Sequence, residues 1–480
     1  MLMLKKRIYQ GLSATLLALS VAACKTPELA TKAAGRPVPA SYATTTTDST
    51  NTARTQWRQF FTDPHLIGLI DTALQHNQEL NISLQEIQIA RNEVQIRKGE
   101  YLPFVGLGAK AEAERPSRNT LPGATEEAIR IQPEHRNPEP LQNYQIGTFA
   151  SWEVDVWHKL RNARKSAALR YLATVEGRNF TVTNLIAEIA TSYYELLALD
   201  NQLAIVRQNI ELQTNALELV KLQKDAARTT ELAVQRFEAQ VHTTRSLQYT
   251  IQQRIIETEN RLNFLVGRYP QPITRTAAAF NALPATTIQA GIPTQLLQNR
   301  PDIRQAEQTL AATKLDVQVA RANFYPALRI TGGAGFGAFK PGLLLSTPES
   351  MLYSLAGDLV APLVNRNGIK AVYGSANAVQ IQAAYQYERT ILNAYVEVAN
   401  QLASIRNLQQ VYEEKAQAVQ ALNQSSAISS SLFRSARADY TEVLFTQRDA
   451  LESRFELIET RLQQFNATVN VYRALGGGWK

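Results

Sequence analysis

Cys24 is the one thiol in the 480-residue chain, and its setting points to acylation rather than to redox or metal chemistry. It closes the small-residue run Val-Ala-Ala-Cys at 21–24, a pattern resembling the bacterial lipobox, where a signal is cleaved and the thiol lipidated. Upstream, Lys5, Lys6 and Arg7 precede the apolar run "GLSATLLALSVAA". Together they read as a secretory signal over 1–23, too short for a stable membrane span. A free thiol is a liability in an oxidising compartment, and acylation removes it. The competing reading is an ordinary signal that happens to end beside a cysteine. With no second cysteine, no disulfide can close within the chain.

Other chemistry is hard to assemble. His65, His76, His135, His158 and His242 are the five histidines, and no two stand at metal-ligand spacing. The Gly-rich "GGAGFG" (332–337) has no following helix and no Lys-Ser/Thr pair, so it is not a phosphate loop. No GxSxG motif occurs, and three methionines are too few for a metal relay. The expectation is no metal, no cofactor and no catalytic residue. The net charge of +8 becomes +5 once the three signal cations are removed. The remaining charges are interspersed, so a nucleic-acid partner is not expected.

The elements that would position any site are marked by proline. Pro103, Pro116, Pro122, Pro133, Pro138 and Pro140 crowd one region, and a later group ends at Pro362. The spans 141–269 and 363–480 contain none, leaving room for very long helices. In the first span Ile189, Leu196, Leu203, Ile210 and Leu217 recur every seventh residue, with Leu199, Val206 and Val220 at a second position. That is coiled-coil periodicity. A helix from about 160 to 225 would be roughly 100 Å long at 1.5 Å per residue.

The chain also repeats. "VQIRKGEYLP" (94–103) aligns with "VQVARANFYP" (317–326), and "RTTELAVQ" later aligns with "RADYTEVL". Each half reads helix, strand, loop, strand, two long helices. The strands are expected at about 102–115, 143–156, 326–337 and 350–364. Their small or polar residues between apolar ones suit membrane β-strands. The proline before each pair marks where helix gives way to strand. Four strands cannot close a barrel, and lipid does not tolerate open edges. Copies of the chain must therefore pool their strands. Trp152, Trp157, Tyr353 and Phe149 lie near strand ends and read either as an interfacial girdle or as barrel packing.

Several long stretches resemble the outer-membrane factor family, the TolC-like and NodT-type efflux lipoproteins. They are "WRQFFTDPHLIGLIDTALQHNQELNISLQEI" (57–87), "SWEVDVW" (151–157), "LLQNRPDIRQAEQTLAATKLDVQVARANFYPALRITGGAGFG" (296–337) and "VNVYRALGGGW" (469–479). The resemblance covers the mature chain. It implies a mainly α fold with a membrane portion, in which a homotrimer forms a twelve-stranded β-barrel continued by an α-helical barrel. It implies a lipidated tether over 24–56, a first repeat over 57–268, an equatorial linker over 269–295 and a second repeat over 296–480. The implied function is a passive outer-membrane exit duct for drugs or other small toxic compounds. Its implied partners are a periplasmic adaptor, an inner-membrane pump of the resistance-nodulation-division (RND) type and outer-membrane lipid.

Two alternatives stand beside this reading: a type I protein-secretion duct, and a non-conducting, lipid-anchored coiled-coil scaffold. The resemblance further implies a periplasmic gate at the hairpin tips, 224–234 and 430–444. Its residues would be Asp439, Glu442, Arg434, Arg437, Thr230 and Glu231. Ala227 and Ala436 stand at the usual tip glycines. Asp439 and Glu442 could equally serve only the helix N-terminus, and the arginines could equally be solvated.

Overall fold

The computed structural model describes residues 26–33, 35, 37–42, 51–276, 280, 289–435 and 437–479. The signal segment, Cys24 and Ala436 lie outside the described residues. Counting helices longer than four residues, the order is α1 (Pro64–His76), α2 (Gln78–Tyr101), β1 (Phe104–Glu114), α3 (Leu121–Ala128), β2 (Leu141–Val154), α4 (Lys159–Asp225) and α5 (Glu231–Val266). Then come α6 (Pro301–Ala322), β3 (Ala327–Ala338), β4 (Met351–Val360), α7 (Asn367–Arg434) and α8 (Tyr440–Ala474). The two longest helices, α4 with 67 residues and α7 with 68, fall in the two proline-free spans. Pro103 and Pro326 stand immediately before β1 and β3, where a residue without an N–H cannot continue a helix.

The chain forms two compact units, each drawn from three segments. The first contains Gln88–Leu172 and Gln308–Tyr385 besides the N-terminus; the second contains Ala34–Ile87, Ala173–Glu307 and Gln386–Lys480. In the first unit the four strands form one antiparallel sheet in the order β1-β2-β3-β4. β2 pairs with β3, so the two repeats meet at the centre of the sheet.

Side chains alternate faces along a strand, and the register fixes which share a side. One face carries Lys110, Glu112 and Glu114 of β1, Glu153 of β2, Arg329 of β3 and Asp358 of β4. These are all the charges on the four strands. The opposite face carries Val105, Leu107, Ile146, Ala150, Trp152, Leu328, Ile330, Phe336, Tyr353, Leu355 and Leu359. Such a division suits a sheet with water on one side and hydrocarbon on the other.

The charged face is also rich in glycine. At the crossing of Gly147 and Gly335, a Cβ on Gly147 would lie 2.6 Å from the Ala334 carbonyl oxygen and 2.8 Å from Gly335 Cα. Only glycine permits that approach.

The second unit is built on the heptad pattern. Ile189, Leu196, Leu199, Val206 and Val220 are buried, and α1 packs Leu66 and Ile70 into the same core as Ile189, Tyr193 and Leu262. Asp63 caps α1 by accepting from the His65 N–H at 2.8 Å, and it accepts from the Tyr193 hydroxyl, also at 2.8 Å. Arg300, largely buried, donates to Glu397 at 2.8 Å, to Asp302 at 2.7 Å and to the Ala474 carbonyl at 2.8 Å. Burial opposes its charge, yet the bonds to Asp302 and Glu397 raise its pKa above the ordinary arginine value.

The N-terminal run does not hang free where it is described. In the first unit Leu29 packs beside Phe324, Ile369 and Tyr373, and Asn377 donates to the Ala30 carbonyl at 3.0 Å. In the second unit Tyr42 is buried and stacks on Tyr395 with ring centroids 5.4 Å apart.

Candidate gate at the hairpin tips

Helices α4 and α5 form one hairpin, α7 and α8 the other. At the first tip Ala227 has φ = +54°. Its N–H donates to the Lys224 carbonyl at 2.8 Å, and the Arg228 N–H donates to the Gln223 carbonyl at 2.8 Å. This pair of bonds ends many helices and normally puts glycine at the left-handed residue. An L-residue there costs roughly 1–2 kcal/mol, offset by the two carbonyls it satisfies. The alanine thus takes the backbone conformation that glycine adopts most easily.

Across the same turn Lys224 pairs with Glu231 at 2.6 Å, and Gln235 donates to Glu231 at 2.9 Å. The bonds from Lys224 and Gln235 hold the Glu231 carboxyl below its ordinary range. Thr230 sits in extended backbone ahead of α5, but its side chain makes no capping bond.

The second tip repeats the main feature. The Arg437 N–H donates to the Leu432 carbonyl at 2.9 Å, the same six-residue closure. Asp439 then caps α8, accepting from the Thr441 N–H and hydroxyl at 2.9 Å each. Those bonds hold its carboxyl below the usual carboxylate range. Glu442 lies in the first turn of α8 and is exposed. Arg434 and Arg437 are exposed as well. Among the described residues neither arginine makes an ion pair.

The two tips are packed together by a cluster of which the heptad pattern marked only Leu217 and Val220. Val443 of α8 is buried beside Leu217, Val220, Val234 and Phe237 of the other hairpin. Phe237 and Phe433 lie with ring centroids 6.4 Å apart. The spacing of Val234, Phe237 and Val241 on one helical face was the available signal. Above this cluster the Ser429 and Thr446 hydroxyls meet at 2.7 Å. The arrangement is therefore two short turns joined by an apolar plug, with Arg434, Arg437 and Glu442 presented to water. Nothing in it resembles a catalytic constellation; its free charges are suited to pairing with another surface.

The strand ends separate the two readings of their aromatic residues. Trp152 and Tyr353 lie on the apolar face. The Trp157 indole donates to the Pro326 carbonyl at 2.7 Å and stacks on Tyr325 at 4.8 Å. Phe149 does not belong with them, because its parity along β2 puts it on the charged face with Ser151 and Glu153.

Comparison with known proteins agrees with this architecture. The family model described as "Outer membrane efflux protein" matches residues 69–268 and 292–477. The pyoverdine export outer membrane protein OpmQ of Pseudomonas aeruginosa is 28% identical over 88% of this chain and 88% of its own length. The solvent efflux pump outer membrane protein SrpC of Pseudomonas putida is 28% identical, over 89% of this chain and 88% of its own. Among solved structures, a membrane protein from Pseudomonas aeruginosa superposes with a TM-score of 0.84 at 24% identity, covering 94% of this chain and 100% of that one. The open state of the Neisseria gonorrhoeae MtrE outer membrane channel gives 0.81 at 22% identity, covering 95% and 98%. These likenesses establish the fold, a β-barrel portion joined to a helical one, and the family match over most of the chain establishes kinship: this protein belongs to the outer membrane efflux protein family.

Proposed function

We propose that this chain is a passive exit duct in the outer membrane, for drugs or other small toxic compounds delivered by an inner-membrane pump and a periplasmic adaptor. Three copies pool their strands into a closed barrel, and the hairpin tips form its periplasmic gate. Acylation of Cys24 adds a second hold on the membrane. The observation that carries the reading is the two-faced sheet: every strand charge lies on one side, and hydrocarbon-compatible residues lie on the other. A soluble coiled-coil scaffold would have no use for such a sheet. Relatives named for solvent efflux and pyoverdine export favour small-molecule cargo over secreted protein.

At the gate, Asp439 is committed to capping α8, so the charges free to bridge copies are Arg434, Arg437 and Glu442. Neutralising Arg434 and Arg437 together is expected to raise the open probability of the purified protein in planar bilayers. Asp439→Asn, which keeps a capping side chain, is expected to change it little. A protein that conducts nothing, and that leaves membranes without detergent in high salt or once its lipid is removed, would sink the duct in favour of the scaffold.

A further inference from the structure

The charged face of the sheet is not uniform along the strands. At its helix-proximal end Glu153, Arg329 and Asp358 stand in one row across β2, β3 and β4, and Lys159 pairs with Glu153 at 2.7 Å. At its far end are Lys110, Glu112 and Glu114, with Lys110 bonded to Glu112 at 2.5 Å. Between these charged rims lies a neutral band. It contains Gly106, Gly108, Gly147, Gly333, Gly335, Ser151, Thr331, Ser354 and Ala356, together with two aromatic rings, Phe104 and Phe149.

The rings are placed by the glycines. Phe149 lies flat against β1: a Cβ on Gly106 would come within 2.6 Å of its Cζ, and one on Gly108 would lie 3.5 Å from its Cε1. Any side chain at 106 would lift the ring off the wall. Phe104 flanks it with ring centroids 5.9 Å apart. Both rings stay open to solvent, Phe149 at 47% and Phe104 at 63% exposure. Among the described residues nothing covers this large aromatic surface on the polar face of a membrane sheet. Hydrophobic burial and ring-on-ring contact would both favour a flat aromatic partner there.

We propose that Phe104 and Phe149 form an aromatic subsite on the lumen wall, which transiently holds planar aromatic compounds as they leave. The proposal deepens the duct reading and rests on it, since only barrel closure makes this face a lumen. Three copies would set six rings around one neutral waist. Each passing molecule would exchange water for ring contact there, without a charged group to trap it.

The test uses the full-length oligomer in planar bilayers with two blocking probes added from the loop side: ethidium, which is planar and aromatic, and tetrabutylammonium, which is bulky, cationic and not aromatic. Ring contacts worth about 0.5–1.5 kcal/mol predict that Phe149→Leu shortens ethidium blockades roughly two- to thirteenfold. Tetrabutylammonium blockades should be unchanged. Leucine keeps apolar volume over the glycines, and Phe149→Tyr should restore the wild-type ethidium dwell; Phe104→Leu provides a second, independent variant. Equal shortening for both probes, or no change in either leucine variant, overturns the subsite while leaving the duct intact. Absence of any wild-type current overturns the duct reading itself.

Discussion

Asp439 and Glu442 lie three residues apart at one helix start, yet they do different work. The Asp439 carboxylate is spent on the Thr441 N–H and hydroxyl, satisfying a donor that the first turn of α8 cannot satisfy internally. Glu442 points to water. The bonds from Thr441 depress the folded pKa of Asp439 below 3.8. Its contribution to the tip is therefore fully present at neutral pH, begins to fall as pH drops past the unfolded value, and disappears as pH passes below the folded one. Asp439→Ala should lower the hydrogen-exchange protection factor of the Thr441 amide at pH 7, and Asp439→Asn should largely retain it. Once the pH falls below that lowered folded pKa, the wild-type protection factor should approach that of the alanine variant. An alanine variant as protected as wild type at neutral pH would show that α8 begins without this cap.

At the scale of elements, the pairing of β2 with β3 depends on glycine at their crossing. Gly147 and Gly335 let β2 and β3 approach so closely that a side chain at 147 would meet the Ala334 carbonyl. Gly147→Val should therefore break the pairing that joins the two repeats, and the oligomer expected of the wild-type protein on native gels should be lost. Gly357→Ala, where an added Cβ meets nothing within 4 Å, should keep it.

Much of this architecture could be read in advance. Pro103 and Pro326 stand where helices yield to strands, and the seven-residue spacing from Ile189 to Leu217 lies on the buried side of α4. The apolar and polar alternation of the strands is the two-faced sheet itself. Other features carried no periodic signal. Leu29 and Tyr42 are single apolar residues in a Thr-, Ala- and Pro-rich run, and their burial depends on distant helices. Ala227 adopts a left-handed backbone that its own side chain disfavours; the closing bonds of the turn impose it. The side taken by Phe149 was readable from its parity with Glu153, but aromatic residues near strand ends fit either face until the register is known.

For the molecule as a whole, the decisive fact is that four strands leave two edges. Among the described residues β1 pairs only with β2 and β4 only with β3, so each chain offers one free edge of each kind. In hydrocarbon their unpaired N–H and C=O groups would each cost several kcal/mol. If β1 of one copy meets β4 of the next, the seam repeats until the ring closes, and no edge remains. Cysteine pairs test this directly, because Cys24 is the only native thiol. Within one chain β1 and β4 are three strand spacings apart, about 14 Å, beyond the roughly 7 Å limit for a disulfide between Cα atoms. Any bridge between them must therefore join different copies. Leu107→Cys combined in turn with Tyr353→Cys, Leu355→Cys or Gly357→Cys should, for the pair that falls in register, give a ladder of dimers and trimers under oxidation. Leu107→Cys alone should give no trimer. A ladder continuing past three copies would refute the copy number. No bridge with any partner, from an oligomer that still conducts, would refute the β1–β4 seam and require the sheet to close some other way.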